Sequence, residues 1–92
     1  MTSEQAETIA LQALGWLVAH ETLCPVFLGA SGSSADDLKL RARDHDFQAS
    51  VLEFVTMDDD WIVAFCDAHG LDYDRPLGAR YALPGGEQVH WT

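Results

Sequence analysis

Two thiols and two imidazoles in this chain stand at spacings that suit a metal ion. His20 and Cys24 are four residues apart, and Cys66 and His69 are three apart. Each pair can therefore point one way from a single helical turn. Two thiolates and two neutral imidazoles form a ligand set for tetrahedral zinc, structural if the site is closed and hydrolytic if one position stays open. The competing reading is burial. Cys24 adjoins Pro25 and Val26, and Cys66 follows Phe65; a free Cys among apolar neighbours behaves as a small hydrophobe. Burial carries more weight, and the expectation is a chain without a cofactor.

Other reactive arrangements lack a part. His20-Glu21 begins like a metalloprotease helix, but Cys24 stands where H-E-x-x-H needs its second His. A Cys–His hydrolase needs a thiolate in an electropositive setting. Cys66 instead has Asp67 beside it, in a chain with 15 Asp and Glu against 5 Lys and Arg. Gly29-Ala30-Ser31-Gly32-Ser33-Ser34 offers backbone N–H groups to an anion, but the Walker lysine is missing and Asp36 and Asp37 would repel phosphate. Asp44-His45-Asp46, Asp58-Asp59-Asp60 and Asp72-Tyr73-Asp74 are acidic clusters at expected helix starts, where caps and the helix dipole favour Asp. The third opens like an EF-hand loop, yet Leu77 and Leu83 occupy its sixth and twelfth positions, which need Gly and Glu. No complete catalytic set remains, so the expectation is a non-enzyme.

Two segments are candidates for contact with a partner. Lys39, Arg41 and Arg43 are three of the five basic residues, and they either offset nearby acids or dock an acidic partner. On a helix, Lys39 and Arg43 share a face while Arg41 points elsewhere. Val89 and Trp91, near the C-terminus, either cover the core or form an adhesive end for a partner or a second copy of the chain.

These residues must be positioned by elements that the periodicity outlines. Thr2 and Gln5 stand at capping-box spacing, with Ser3 as a competing cap. Ala6, Ile9, Ala10, Ala13, Leu14, Trp16 and Leu17 then mark one apolar face of a helix over about 4–20. Gly15 inside that helix costs about 1 kcal/mol relative to Ala, which suggests a close helix–helix approach there. Pro25 suits the first turn of a short second helix, stopped between Gly29 and Gly32. Ser33 or Ser34 caps a third. The alternation in Asp37–Arg43 resembles a strand, but the Ser and Asp start signals favour helix. Asp44 or Asp46 starts a fourth helix with Phe47, Val51, Phe54 and Val55 on one stripe. Thr56 or Asp58 opens a fifth, in which Ile62, Phe65, Cys66 and His69 share a face and Gly70 ends it with Leu71 in contact. Pro76 permits a sixth around Asp74–Tyr81. Trp61 and Tyr73 read as core or boundary residues. The prediction is an all-α, compact orthogonal bundle of five to six short helices over residues 1–83, followed by a C-terminal tail, 84–92.

Composition sets the outer bounds. The chain has 92 residues, enough for one domain, and 48% hydrophobic residues argue against disorder despite a net charge of -10. Five Lys and Arg are too few to neutralise a nucleic-acid backbone or an anionic membrane surface. There is no long apolar run and no basic-then-apolar start, so neither a span nor a signal peptide is expected. Two cysteines do not make a disulfide framework, and a cytoplasmic chain with reduced thiols is the expectation.

One pattern of residues is familiar. Trp16-Leu17, Phe27-Leu28-Gly29-Ala30-Ser31-Gly32, the acidic-start helix with Leu38, and Phe47-x-x-x-Val51-Leu52-x-Phe54 occur in order. Asp58-Asp59, Ala64-Phe65 and Leu83-Pro84-Gly85-Gly86 follow. The order resembles a small all-helical bacterial family of unknown function, mainly alphaproteobacterial. The resemblance implies a helical cytosolic protein and no particular activity. A protein–protein interaction or regulatory module is the functional expectation, with a metal-binding protein as its alternative.

Overall fold

Thr2 closes the first helix as its spacing predicts. Its Oγ1 accepts from the Gln5 backbone N–H at 3.1 Å, and Gln5 Oε1 accepts from the Thr2 N–H at 3.0 Å. Helix α1 then runs Ser3–Ala19. In the computed structural model, which describes residues 1–83, five more helices follow: α2 Leu23–Ser31, α3 Asp37–Leu40, α4 His45–Val55, α5 Asp59–His69 and α6 Arg75–Ala82. No strand occurs among the described residues. Val89 and Trp91, in the tail expected over 84–92, lie outside the described residues.

The all-α expectation holds, and the packing is orthogonal where the chain first turns: α1 and α2 meet at 118°. Helix α1 is central. Its face of Ala6, Ile9, Ala10, Ala13, Leu14 and Leu17 is buried, and α6, α4, α2 and α5 all pack on it, α6 most extensively. The stripe on α4 is buried as predicted, joined by Leu52 and Gln48. Phe27 from α2 meets Phe47 and Phe54 edge-on, with centroids 5.9 and 5.4 Å away, and Phe54 stacks on Trp61 at 4.8 Å. The molecule measures 31 × 26 × 23 Å. No single helix among the described residues is long and apolar enough to cross a membrane.

The acidic clusters divide by position. Asp44 Oδ1 accepts from the Asp46 N–H at 2.9 Å, and Asp58 Oδ1 from the Asp60 N–H at 2.8 Å, so two clusters are side-chain caps. The third is not: Asp74 precedes α6 in a helical conformation without a side-chain cap. Asp72 contributes its carbonyl instead, which accepts from Cys66 Sγ at 3.4 Å. Gly70 ends α5 in the left-handed region, φ 66°, and the Leu71 N–H returns to the Cys66 carbonyl at 2.9 Å, closing the six-to-one bond of a Schellman ending.

Four other expectations need correction. The helix stop at the Gly-rich segment is Gly32 alone, φ 72°, since Gly29 is still helical. Neither Ser33 nor Ser34 caps α3: Asp37 Oδ2 accepts from the Ser34 N–H at 2.9 Å. That reversed bond holds a turn, and only four residues of helix follow. Tyr73 is exposed, its hydroxyl donating to Asp67 Oδ1 at 2.8 Å. Gly15 meets no close neighbour; a Cβ there would find nothing within 4 Å. Trp61 is a boundary residue as expected.

Candidate functional site

The proposed zinc ligands are spent on turns. His20 Nδ1 accepts from the Leu23 N–H at 3.3 Å across the α1–α2 corner. Cys66 is buried on α5 and bonded to the Asp72 carbonyl, while Cys24 is partly exposed on α2. His69 is exposed at the end of α5, with its ring 5.0 Å from Phe65, so it does not share the burial expected of its face. His20, Cys24, Cys66 and His69 are not assembled: no three His, Cys, Asp or Glu side chains among the described residues form a metal-holding group. Cys66 and His69 do lie on one turn of α5, but His20 is the extended residue that ends α1 and Cys24 lies beyond the corner on α2, so that pair does not share a helical turn as its spacing suggested.

The chemistry of Cys66 follows from its surroundings. Burial pushes the thiol above its ordinary value, and Asp67, Asp72 and Asp74 push it further. An unfolded chain then loses this proton at lower pH than the folded one. The associated stability is complete below the ordinary thiol value of 9.0 and is lost as pH rises through the higher folded value. The expected result is an alkaline fall in stability of up to about 1.4 kcal/mol per pH unit from this group, reduced in Cys66→Ala and measured by urea unfolding at pH 8 to 10. In the native protein an aromatic disulfide reagent should label Cys24 well before Cys66. Equal labelling rates would contradict the burial.

The basic segment is also divided. Arg41 Nε lies 3.5 Å from Asp44 Oδ2, and its guanidinium sits 5.3 Å over the Phe47 ring. It is held within the molecule. Because α3 ends at Leu40, Arg43 does not share a helical face with Lys39 as the sequence suggested; it lies exposed in the following turn. Lys39 alone borders a concavity.

That concavity is an apolar groove of about 410 Å³ between α1 and the segment containing α3. Leu11, Leu14, Gly15 and Val18 line it from α1, with Leu38 and Lys39 opposite. Its lining is apolar except for the single ammonium of Lys39. Val18, in the last turn of α1, is 51% exposed. The groove exists because α1 carries two apolar stripes. Ala6 to Leu17 face the core, and Leu11, Gly15 and Val18 form a second row at four- and three-residue spacing on the outside. Leu11 and Val18 were the sequence signal for it, being apolar residues of α1 outside the core stripe.

Gly15 is the unusual member. Mid-helix glycine weakens a helix by about 1 kcal/mol relative to Ala, and no neighbouring element needs the space it leaves. The missing side chain instead deepens an open groove, where another backbone can come close.

Residues 3–86 match the family described as Protein of unknown function (DUF3572), and the chain belongs to that family. No curated protein and no solved structure matches it.

Proposed function

We propose that this family member is a non-enzymatic protein–protein interaction module whose α1–α3 groove receives an amphipathic helix from a partner protein. The observation that carries this reading is Gly15: a destabilising residue, unneeded by its own fold, on the floor of an apolar groove. Leu11, Leu14, Val18 and Leu38 supply the apolar walls that such a helix buries. Among the described residues Lys39 is the only charged one lining the groove, so a carboxylate beside the partner's apolar anchors pairs with it and sets register. The net charge of -10 steers towards partners of positive net charge, which leaves the helix's outer face basic. The same charge, with Arg41 already engaged, favours neither nucleic acid nor an anionic membrane as the target.

Tagged protein retained on beads in a native cytosolic extract provides the test, with Val18→Glu, Gly15→Ala and Val63→Glu compared with the parent chain. Val63 is exposed on α5, away from the groove lining. A partner held by the parent and by Val63→Glu but lost with Val18→Glu supports the reading. Gly15→Ala is expected to gain about 0.5–1 kcal/mol in urea unfolding while holding that partner more weakly, a trade of stability against function. Retention unchanged in Val18→Glu overturns the proposal. So does concentration-dependent self-association that Val18→Glu abolishes, which would make the occupant a second copy.

A further inference from the structure

A separate opening lies where two helices end. Ala30 and Ser31 come from the last turn of α2, Glu53 and Phe54 from the last turn of α4, and Met57 just beyond it. Together with Phe27 and Ser50 they border about 140 Å³. A helix C-terminus carries roughly half a negative charge, which a basic residue in the last turn ordinarily offsets. Helices α5 and α6 follow that rule with His69 and Arg80. Helices α1, α2 and α4 have no basic residue in their last turns; at α4 the Thr56 hydroxyl donates to the Leu52 and Glu53 carbonyls without adding a positive charge. The Glu53 carboxylate adds a full negative charge at the same place, and among the described residues it enters no ion pair.

Two negative helix ends and a carboxylate thus converge on a recess whose other walls are the side chains of Phe27, Ala30, Phe54 and Met57 and the hydroxyl-bearing Ser31 and Ser50. One carboxylate and two hydroxyls still fall short of the roughly six oxygens that calcium or magnesium takes, whereas they suit the three donors of an ammonium. We infer that this recess binds an alkylammonium group, with its ammonium at Glu53 and the helix ends and its short aliphatic stem along Ala30, Phe54 and Met57. An ammonium brings three donors, and its stem covers apolar surface while the charge stays near water. Met57 is 70% exposed, and a thioether chain adapts readily to such a stem. The volume is less than half of the roughly 300 Å³ at the lower end of small-molecule sites. It takes a head and a stem of a few carbons, supplied by a free amine or by a lysine side chain of a protein. The inference does not depend on the α1–α3 groove, with which this recess shares no lining residue.

Methyl NMR of Ala30 and Met57 reads the site directly. Titration with n-butylammonium chloride and with Nα-acetyl-lysine methylamide is expected to give saturable shifts in the millimolar range, and neutral 1-butanol none. Glu53→Gln should weaken binding about fivefold. Glu21→Gln, which removes an exposed charge elsewhere, should leave it unchanged. Saturation by n-butylammonium alone assigns the site to free amines; saturation by the lysine derivative assigns it to protein lysines. Equal shifts with 1-butanol, no saturable shift with either cation, or an unaltered affinity in Glu53→Gln overturns the inference.

Discussion

Phe27→Ala is expected to cost about 3–5 kcal/mol of folding stability. The ring is 1% exposed and is the chief attachment of α2 to the rest of the molecule. It contacts Phe47 and Phe54 edge-on, geometries worth about 0.5–1.5 kcal/mol each beyond the buried area. Phe54 in turn stacks on Trp61 of α5, so one deletion loosens three helices. A chain of this size has only about 5–15 kcal/mol in total. Loss on this scale removes about a fifth or more of that and raises the unfolded fraction near physiological temperature. Urea unfolding followed by tryptophan fluorescence checks the value, and Phe27→Leu should cost much less because most of the volume remains. A cost below about 1 kcal/mol for Phe27→Ala would show that α2 is held elsewhere.

The residues behind that prediction were legible before any coordinates. Phe47, Val51, Phe54 and Val55 recur at a helical period, and a stripe of that width has to be buried. Thr2, Asp44 and Asp58 were equally legible, because a cap is a local arrangement of neighbouring backbone and side chain. Legibility ended where two distant segments decide the outcome. Asp74 resembles Asp44 and Asp58 in sequence, but the chain enters α6 already helical and has no use for a side-chain cap. Of the box expected before α3 only the Asp37 half forms, its carboxylate accepting from the Ser34 N–H, and the Ser34 hydroxyl caps nothing.

The candidate sites show the same boundary more sharply. The Cys66–His69 spacing holds within α5, but the chain turns a corner between His20 and Cys24; whether the two pairs face each other is a tertiary matter, and they do not form a group. The grouping of Lys39, Arg41 and Arg43 depended on a helix reaching residue 43, whereas α3 stops at Leu40. The groove left a trace in the outer apolar row of α1. The recess at Glu53 left none, because nothing in the sequence indicates that the ends of α2 and α4 meet. The cost of Gly15 suggests a packing contact, whereas in the structure the glycine faces an unfilled space.

At the opposite side of α1 space is scarce, and there substitution should act through crowding. Helix α6 lies against α1 and α4 and buries Pro76 and Ala79, with Leu83 inserted just after its end. Ala79 is fully buried, as are Ala6 and Ala13 of α1. Small residues at these positions let the two helix backbones come close, and no flexible side chain there can move aside. Ala79→Leu adds three carbons where none fit, so either α6 lifts from α1 or the new side chain takes a strained rotamer. Overpacking of this kind costs about 1–3 kcal/mol. Intrinsic helix propensity contributes little, since Ala and Leu both rank high. Ala68→Leu, the same change at an exposed position of α5, should fall within about 0.5 kcal/mol of the parent. Paired urea titrations of the two variants separate crowding from propensity: a neutral Ala79→Leu would mean that α6 can shift without loss and that the α1–α6 contact does not hold the bundle together.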